Sequence, residues 1–314
     1  MEVYIEKEFL NKFDKNYNNK PIQKIVKEIF IGYGEKRVFV DYKAENFEKL
    51  DNENEIFSLI TSNNAAPIPV NSIKEHLFSK SNFSQTIVFT NEQEDWFVDA
   101  ENKGALCLSL ANFEKRITEL TQDAESIDID IDEFEGWEMF EFMQRVPFNK
   151  ITLCDNFVLT DKKDGLIQKN IIPLLKVLLR GKEDLRIPVE IFTKEFNLRY
   201  PVTNEKLINE VKQKFTIVNR SLANYNSNLK ILNTKANNKV DIHGRELITN
   251  FFIIRSGRGF NLIPTSSNSN EVITAGTIFS KKEYQRINKR IRMYRKHEDF
   301  LTELGNKNFQ YYPE

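Results

Sequence analysis

The residue types best suited to chemistry gather in one stretch, Val240 to Ile263, which reads VDIHGRELITNFFIIRSGRGFNLI. His243 has a cation two places on, Arg245, and is the only histidine so placed. Two apolar segments follow, LIT and FFII, and then Ser256-Gly257-Arg258-Gly259-Phe260-Asn261. This pattern predicts a strand, a tight reversal near Thr249-Asn250, a second strand and a Gly-rich turn. His243 then stands at the mouth of the first strand, with the Gly-Arg-Gly turn beside it. Arg245 and Arg258 suit phosphate, because a guanidinium donates a two-pronged hydrogen bond to its oxygens.

The stretch resembles the phospholipase D superfamily, whose pattern is His-x-Lys, four residues, Asp, six residues and Gly-Ser. Those places hold His243, Arg245, Asn250, Gly257 and Arg258. It is more closely similar to the phospholipase D-like domain at the C-terminus of MIT-domain proteins. The His-Asp-Arg-Glu run of that domain is met by His243-Gly244-Arg245-Glu246, and its Gly-Arg-Gly-hydrophobic-Asp by Gly257-Arg258-Gly259-Phe260-Asn261. Gly244 and Asn261 stand where that pattern has acids. The resemblance covers Lys150 to Phe300. For catalysis it implies a His nucleophile and a second His that protonates the leaving group. Besides His243 the chain has only His76 and His297, neither followed two places on by Lys. One chain therefore supplies half a site, and a homodimer would supply two copies of His243. The MIT-associated relatives imply instead a non-catalytic binder of acidic ligands, and a ring bonded to nearby backbone is the structural alternative for His243.

The elements around this stretch read as a phospholipase D half. NKITLCDNFVLTD is a buried strand, Leu166 to Arg180 an amphipathic helix with a kink expected at Pro173, and PVEIF a strand. A long helix spans Asn204 to Tyr225, and NLKILN is a third strand. After Glu271 to Phe279, one more strand, comes KKEYQRINKRIRMYRKH, the most basic segment of the chain, with eight Lys or Arg. As a helix it turns Ile287, Ile291 and Tyr294 inward and Arg286, Lys289, Arg290 and Lys296 toward solvent or phosphate.

The N-terminal half alternates strand and helix. VYI, RVFVDY, TIVFT and ALCLSL read as strands, separated by helices over Pro21 to Ile31, Glu45 to Ile60, Ile73 to Phe78 and Glu92 to Ala100. Asn112 starts a further charged helix. That alternation predicts a parallel sheet with helices on both faces. The order also resembles the PIN-like nuclease domains, with acids at the first strand end and after a strand ending in Thr. The resemblance implies carboxylates that hold Mg²⁺ or Mn²⁺, the metal activating water for phosphodiester cleavage. Glu6, Asp41, Glu45, Glu92, Asp95 and Asp99 are the candidates, with Glu6 and Asp95 foremost and Asn91 where an Asp would be preferred. The alternative is that these acids are solvated or complement helix dipoles.

Between the halves lies DAESIDIDIDEFEGWE, with eight acids and no Lys or Arg. It reads as a linker, as an edge strand whose charges deter pairing, or as an acidic cover for a basic groove. The expected organisation is a PIN-like α/β domain over 1–122, an acidic linker over 123–138 and a phospholipase D-like domain with its basic helix over 139–314. The fold class is therefore α/β in two Rossmann-like parts.

Composition sets bounds. A chain of 314 residues with 40% hydrophobic residues builds a real core. Its net charge of -1 at pH 7 advertises no bulk affinity for nucleic acid, so any basic surface is local. Cys107 and Cys154 lie in apolar runs and read as reduced core thiols of a cytoplasmic protein. No signal-peptide layout, zinc spacing or membrane-length apolar run is present. The abundance of Asn, Lys, Ile and Phe hints at an AT-rich bacterial genome. The function expected is a nucleic-acid-directed protein, a phosphodiester-cleaving nuclease of a bacterial defence-type system such as phage defence. A partner protein completing a half-site fits the same reading. The other reading is a non-enzymatic binding or scaffold module for a protein partner or anionic lipid.

Overall fold

The computed structural model describes residues 1–13, 17–32, 36–63, 66–81, 83–122, 127–155, 158–159, 165–194, 204–225, 229–234, 245–263, 271–303 and 310–311. The chain is mixed α/β and folds into two units. One comprises Met1–Glu125, Val146–Asn149 and Thr277–Gln285; the other comprises Ser126–Arg145, Lys150–Gly276 and Arg286–Glu314.

In the first unit the order is β1 (Glu2–Ile5), α1 (Lys7–Lys12), α2 (Lys20–Lys27), β2 (Arg37–Val40), α3 (Phe47–Glu53), α4 (Glu55–Ser62), β3 (Ile68–Pro69), α5 (Ile73–Phe78), β4 (Thr86–Thr90), α6 (Phe97–Asn102), β5 (Ala105–Ser109) and α7 (Phe113–Gln122). The strands pair in the order β3-β2-β1-β4-β5. Every pairing is parallel. All residues of β1, β4 and β5 are buried, as apolar runs covered on both faces must be. The chain leaves β1 for one side of the sheet and returns to the other at β4. Adjacent loops therefore part beyond the carboxyl ends of β1 and β4, the place where open α/β sheets form a ligand crevice.

Helix α1 is fixed by an aromatic cluster. Phe9 meets Phe89 of β4 at 5.1 Å and Phe113 of α7 edge-on at 5.4 Å. Phe13 meets Phe113 edge-on at 5.8 Å. Such contacts add to the burial of these large rings. They hold rigidly the residue that links β1 to α1, Glu6.

The helix expected over Glu45 to Ile60 is broken at Asn54. Its Oδ1 accepts from the Phe57 N–H at 2.9 Å, capping α4, and its Nδ2 donates to the Leu10 carbonyl at 2.9 Å. A tertiary hydrogen bond thus sets the break.

The second unit carries an eight-stranded mixed sheet. Its elements are β6 (Ile127–Asp130), β7 (Ile151–Cys154), α8 (Leu166–Lys169), α9 (Ile171–Leu179), β8 (Val189–Lys194), α10 (Asn204–Ser221), β9 (Leu229–Thr234), β10 (Glu246–Ile248), β11 (Phe252–Ser256), β12 (Val272–Thr277), α11 (Lys281–Glu303) and β13 (Gln310–Tyr311). The helix α11 begins in the first unit's last segment. The strand order is β13-β9-β8-β7-β10-β11-β12-β6. Strands β7, β8 and β9 run parallel, while β10 is antiparallel to both β7 and β11. Unlike the first sheet, this one is not all-parallel, because the hairpin β10–β11 reverses direction.

Three segments differ from expectation or resolve an open choice. Within 123–138, expected as a linker, Ile127–Asp130 is an edge strand pairing antiparallel with β12. Ile129 and Ile131 are buried and Asp128 and Asp130 exposed, so the alternation that loads this stretch with acid is that of a one-sided strand. Trp137–Arg145 forms a 3₁₀ helix against α9, with Gln144 Nε2 donating to the Val177 carbonyl at 2.7 Å. The helix over Leu166 to Arg180 breaks at Asn170 rather than kinking at Pro173. Pro173 falls in the first turn of α9, where its missing N–H has no helical partner to lose.

Candidate functional site

The carboxyl ends of β1, β2 and β4 bring carboxylates together. Glu6 follows β1 directly, and its Oε2 accepts the backbone N–H of Asn91, just beyond β4, at 2.5 Å. Asp41 follows β2, and its Oδ1 accepts the Lys7 N–H at 2.6 Å. Since Glu6 makes no side-chain cap of its own helix, Asp41 serves α1 in that role from the neighbouring strand. Each carboxylate spends one oxygen on a backbone donor.

Both carboxylates are held protonated to higher pH than usual. For Glu6 burial is the main cause, reinforced by Asp41, Glu94 and Glu92 and opposed by the Asn91 N–H. For Asp41 burial again dominates and Glu8 adds to it, against the Lys7 N–H. Burial and like charge thus both oppose ionisation at Glu6 and Asp41.

The other candidate acids lie apart or on the surface. Glu92 is exposed but close enough to act on Glu6. Asp95, a foremost candidate, is 84% exposed and faces Lys74 Nζ at 3.4 Å. Glu45 lies near Lys43 at 3.9 Å, and Asp99 is exposed in the first turn of α6. Among the described residues no three His, Cys, Asp or Glu are grouped to hold a metal ion. Glu6 and Asp41 are the residues here that would hold a divalent cation if one binds, each through the oxygen not given to backbone. Such ions are commonly held by one or two carboxylates, with waters and substrate phosphate completing the shell.

In the second unit the hallmark stretch forms the hairpin β10–β11 and the turn after it. His243 and Gly244 lie outside the described residues. Arg245 donates from Nη1 to the Gly257 carbonyl, fastening the strand entry to the turn. Arg258 Nε faces Glu271 at 3.2 Å. The turn is gripped from beneath by Asp155, just beyond β7, whose Oδ2 accepts the Phe260 N–H at 2.9 Å. Gly259 has φ +88° and lies against that carboxylate, so a methyl group there would overlap it. Asn170 then holds the outgoing chain. Its Oδ1 accepts from Leu262 at 3.0 Å and from Ile263 at 2.8 Å, and its Nδ2 donates to the Ile263 carbonyl at 2.9 Å.

The basic helix buries Ile287 and Tyr294 as expected, but Ile291 is only half-buried and Arg290, expected to face solvent or phosphate, is drawn inward by a carboxylate of the sheet. Lys289 is exposed and Arg286 half-buried. Arg290 faces inward to Glu246 of β10, Nε to Oε1 at 2.9 Å. The Tyr294 hydroxyl donates to the same carboxylate. Burial raises the proton affinity of Glu246, while Tyr294 and Arg290 oppose the rise. Burial also pushes the Cys154 thiol up to about 12, so it is no nucleophile.

Sequence reasoning named Glu6, Asp41, Arg245 and Arg258 as candidates. It missed the work of Asn91, Asp155, Asn170 and Glu246, whose partners lie 48 to 105 residues away. The one local signal was position: Asp155 and Asn91 each directly follow a core strand. No protein-family model, curated protein or solved structure matches the chain. Among the described residues no helix is long and apolar enough to cross a membrane.

Proposed function

We propose that the chain is a nucleic-acid-directed, metal-dependent phosphodiesterase whose chemistry lies in its first unit. The observation that carries this reading is the half-buried pair of Glu6, beyond β1 at the switch point of a parallel sheet, and Asp41, beyond the neighbouring β2. The strand order β3-β2-β1-β4-β5 supports a PIN-like fold for that unit. A bound Mg²⁺ or Mn²⁺ would polarise phosphate and activate water. Glu6 and Asp41 would hold it with the oxygens not given to Asn91 and Lys7. The backbone bonds keep both side chains in place before anything binds, so little ordering is left to the reaction.

The second unit, on this reading, is phospholipase D-like and binds phosphate without chemistry of its own. Its mixed sheet and its hairpin followed by a Gly-Arg-Gly turn support that assignment. Arg245 is bonded to the Gly257 carbonyl and Arg258 is paired with Glu271, which gives both a structural use and no sign of catalysis; a protein partner or anionic lipid is the other occupant on this reading.

The test is cleavage of single- and double-stranded DNA and RNA with Mn²⁺ or EDTA. The proposal expects Mn²⁺-dependent cleavage lost in Glu6→Gln and kept in His243→Ala. EDTA-resistant cleavage lost in His243→Ala would move the chemistry to the second unit. No cleavage by any form would leave the binding reading.

A further inference from the structure

The segment Arg286 to His297 reads RINKRIRMYRKH, with six Lys or Arg and no acid, and all of it lies in α11. The helix divides these cations between two faces. Arg286, Arg290 and Tyr294 recur every four residues and form an inner stripe. Its charge is spent on the sheet. Arg290 Nε meets Glu246 Oε1 at 2.9 Å, Tyr294 donates to the same carboxylate, and Arg255 and Arg286 act on it by charge. The Tyr294 ring also stacks on Phe192 of β8 at 5.1 Å. Glu246 is 2% exposed and pairs in register with Cys154 of β7 and Arg255 of β11, so the helix is pinned across the sheet.

Lys289, Arg292 and Arg295 are the exposed residues between Arg286 and Arg295. Steps of three make them neighbours on the helix surface, and the stripe rises about 9 Å from first to last. Neither Lys289 nor Arg292 has an acid three or four residues away on either side. Solvated helix faces elsewhere in the chain do carry one. Lys49 of α3 faces Glu53, and Lys115 of α7 faces Glu119, each pair four residues apart. The outer stripe of α11 is therefore cationic without interspersed acid, on a helix whose underside is fixed. That is the footprint of a helix that meets a polyanion.

We propose that Lys289, Arg292 and Arg295 form a track for the phosphodiester backbone of nucleic acid. The inference rests on the nucleic-acid-directed reading above. It moves the phosphate contact of the second unit from the Gly-Arg-Gly turn, whose arginines are bonded in place, to the outer stripe of α11. Phosphates of one strand advance by about 3.4 Å, so a stripe of about 9 Å meets about three of them. Contact with phosphate positions the strand without reading its bases, so binding is indifferent to sequence. Arg290 holds the helix down and takes no part in the contact.

The experiment measures binding of a fluorescent DNA single strand and of its duplex to the full chain, in EDTA, between about 50 and 200 mM salt. Lys289→Gln, Arg292→Gln and Arg295→Gln should each lower the slope of log K against log salt by about one, and the triple variant by about two to three. Lys289→Gln should keep the wild-type Tm. Arg290→Gln should lower Tm and leave the slope as it is. A triple variant with the wild-type slope, or a slope lowered as much by Arg290→Gln as by Lys289→Gln, would overturn the proposal. Wild type that binds phosphatidylserine vesicles but no nucleic acid, or binds neither, would overturn it too. The predicted slopes without cleavage in Mn²⁺ remove the phosphodiesterase and keep the track. Cleavage in Mn²⁺ with the slope unchanged in the triple variant does the reverse.

Discussion

The Asp155 carboxylate accepts the Phe260 N–H at 2.9 Å, and Gly259 lies so close against that carboxylate that no side chain fits. The Gly-Arg-Gly turn therefore owes its shape to an acid more than 100 residues earlier in the chain. Gly259→Ala combines a steric overlap with a left-handed backbone that alanine resists. It should cost about 3 kcal/mol or more, read as a fall in the denaturant midpoint. Asp155→Ala should cost about 1–3 kcal/mol by leaving the Phe260 N–H buried without an acceptor.

Asn170 spans the break between α8 and α9 and holds the backbone of Leu262 and Ile263. Asn170→Ala strands two backbone donors at once, and should cost at least about 2 kcal/mol. Asn170→Asp keeps the acceptor but turns its other oxygen toward the Leu166 and Ile263 carbonyls in a buried place, so it should also destabilise, least at low pH where the carboxyl can stay protonated and donate; chemical denaturation of the three proteins would rank them.

Glu6 and Asp41 carry a pH signature. The folded chain holds their protons more tightly than the ordinary carboxylate range, so folding is favoured at low pH. That contribution is lost as pH rises through the raised values. Glu6→Gln keeps an acceptor for the Asn91 N–H and removes the charge. It should raise Tm at about pH 8 and leave it unchanged at about pH 3, below the ordinary range of both carboxylates. A stability gain joined to loss of activity is the mark of a site that spends stability on function.

Two neighbouring cations of α11 should behave differently. Arg290 serves Glu246, buried in the sheet, while Lys289 is exposed. Arg290→Ala should lower Tm through the unpaired buried carboxylate. Lys289→Ala should leave Tm alone and, if the helix meets nucleic acid, reduce the salt dependence of binding by about one counterion.

Much of the fold was legible because β4, β5 and the hairpin β10–β11 are apolar runs bounded by turn residues. The breaks at Asn54 and Asn170 were not, since each is set by hydrogen bonds to backbone far away in sequence. For the acidic stretch the sequence left linker, edge strand and cover open, and the antiparallel pairing of Ile127–Asp130 with β12 decides for the strand. Within the candidate site, strand ends pointed to Glu6 and Asp41. Asp95, five residues past the end of β4, is exposed and faces Lys74, a pairing that no local pattern carries.

Glu6 and Asp41 are proposed to hold the metal together. The most direct test is Mn²⁺ affinity of wild type against Glu6→Gln and Asp41→Asn, measured at several pH values from about 6 to 9 because metal binding must displace protons that both carboxylates hold more tightly than usual. The account predicts saturable binding by wild type, weakened at least about tenfold in either variant, one carboxylate-to-cation contact being worth that much. Equal affinity in all three proteins would place the metal elsewhere and contradict the account.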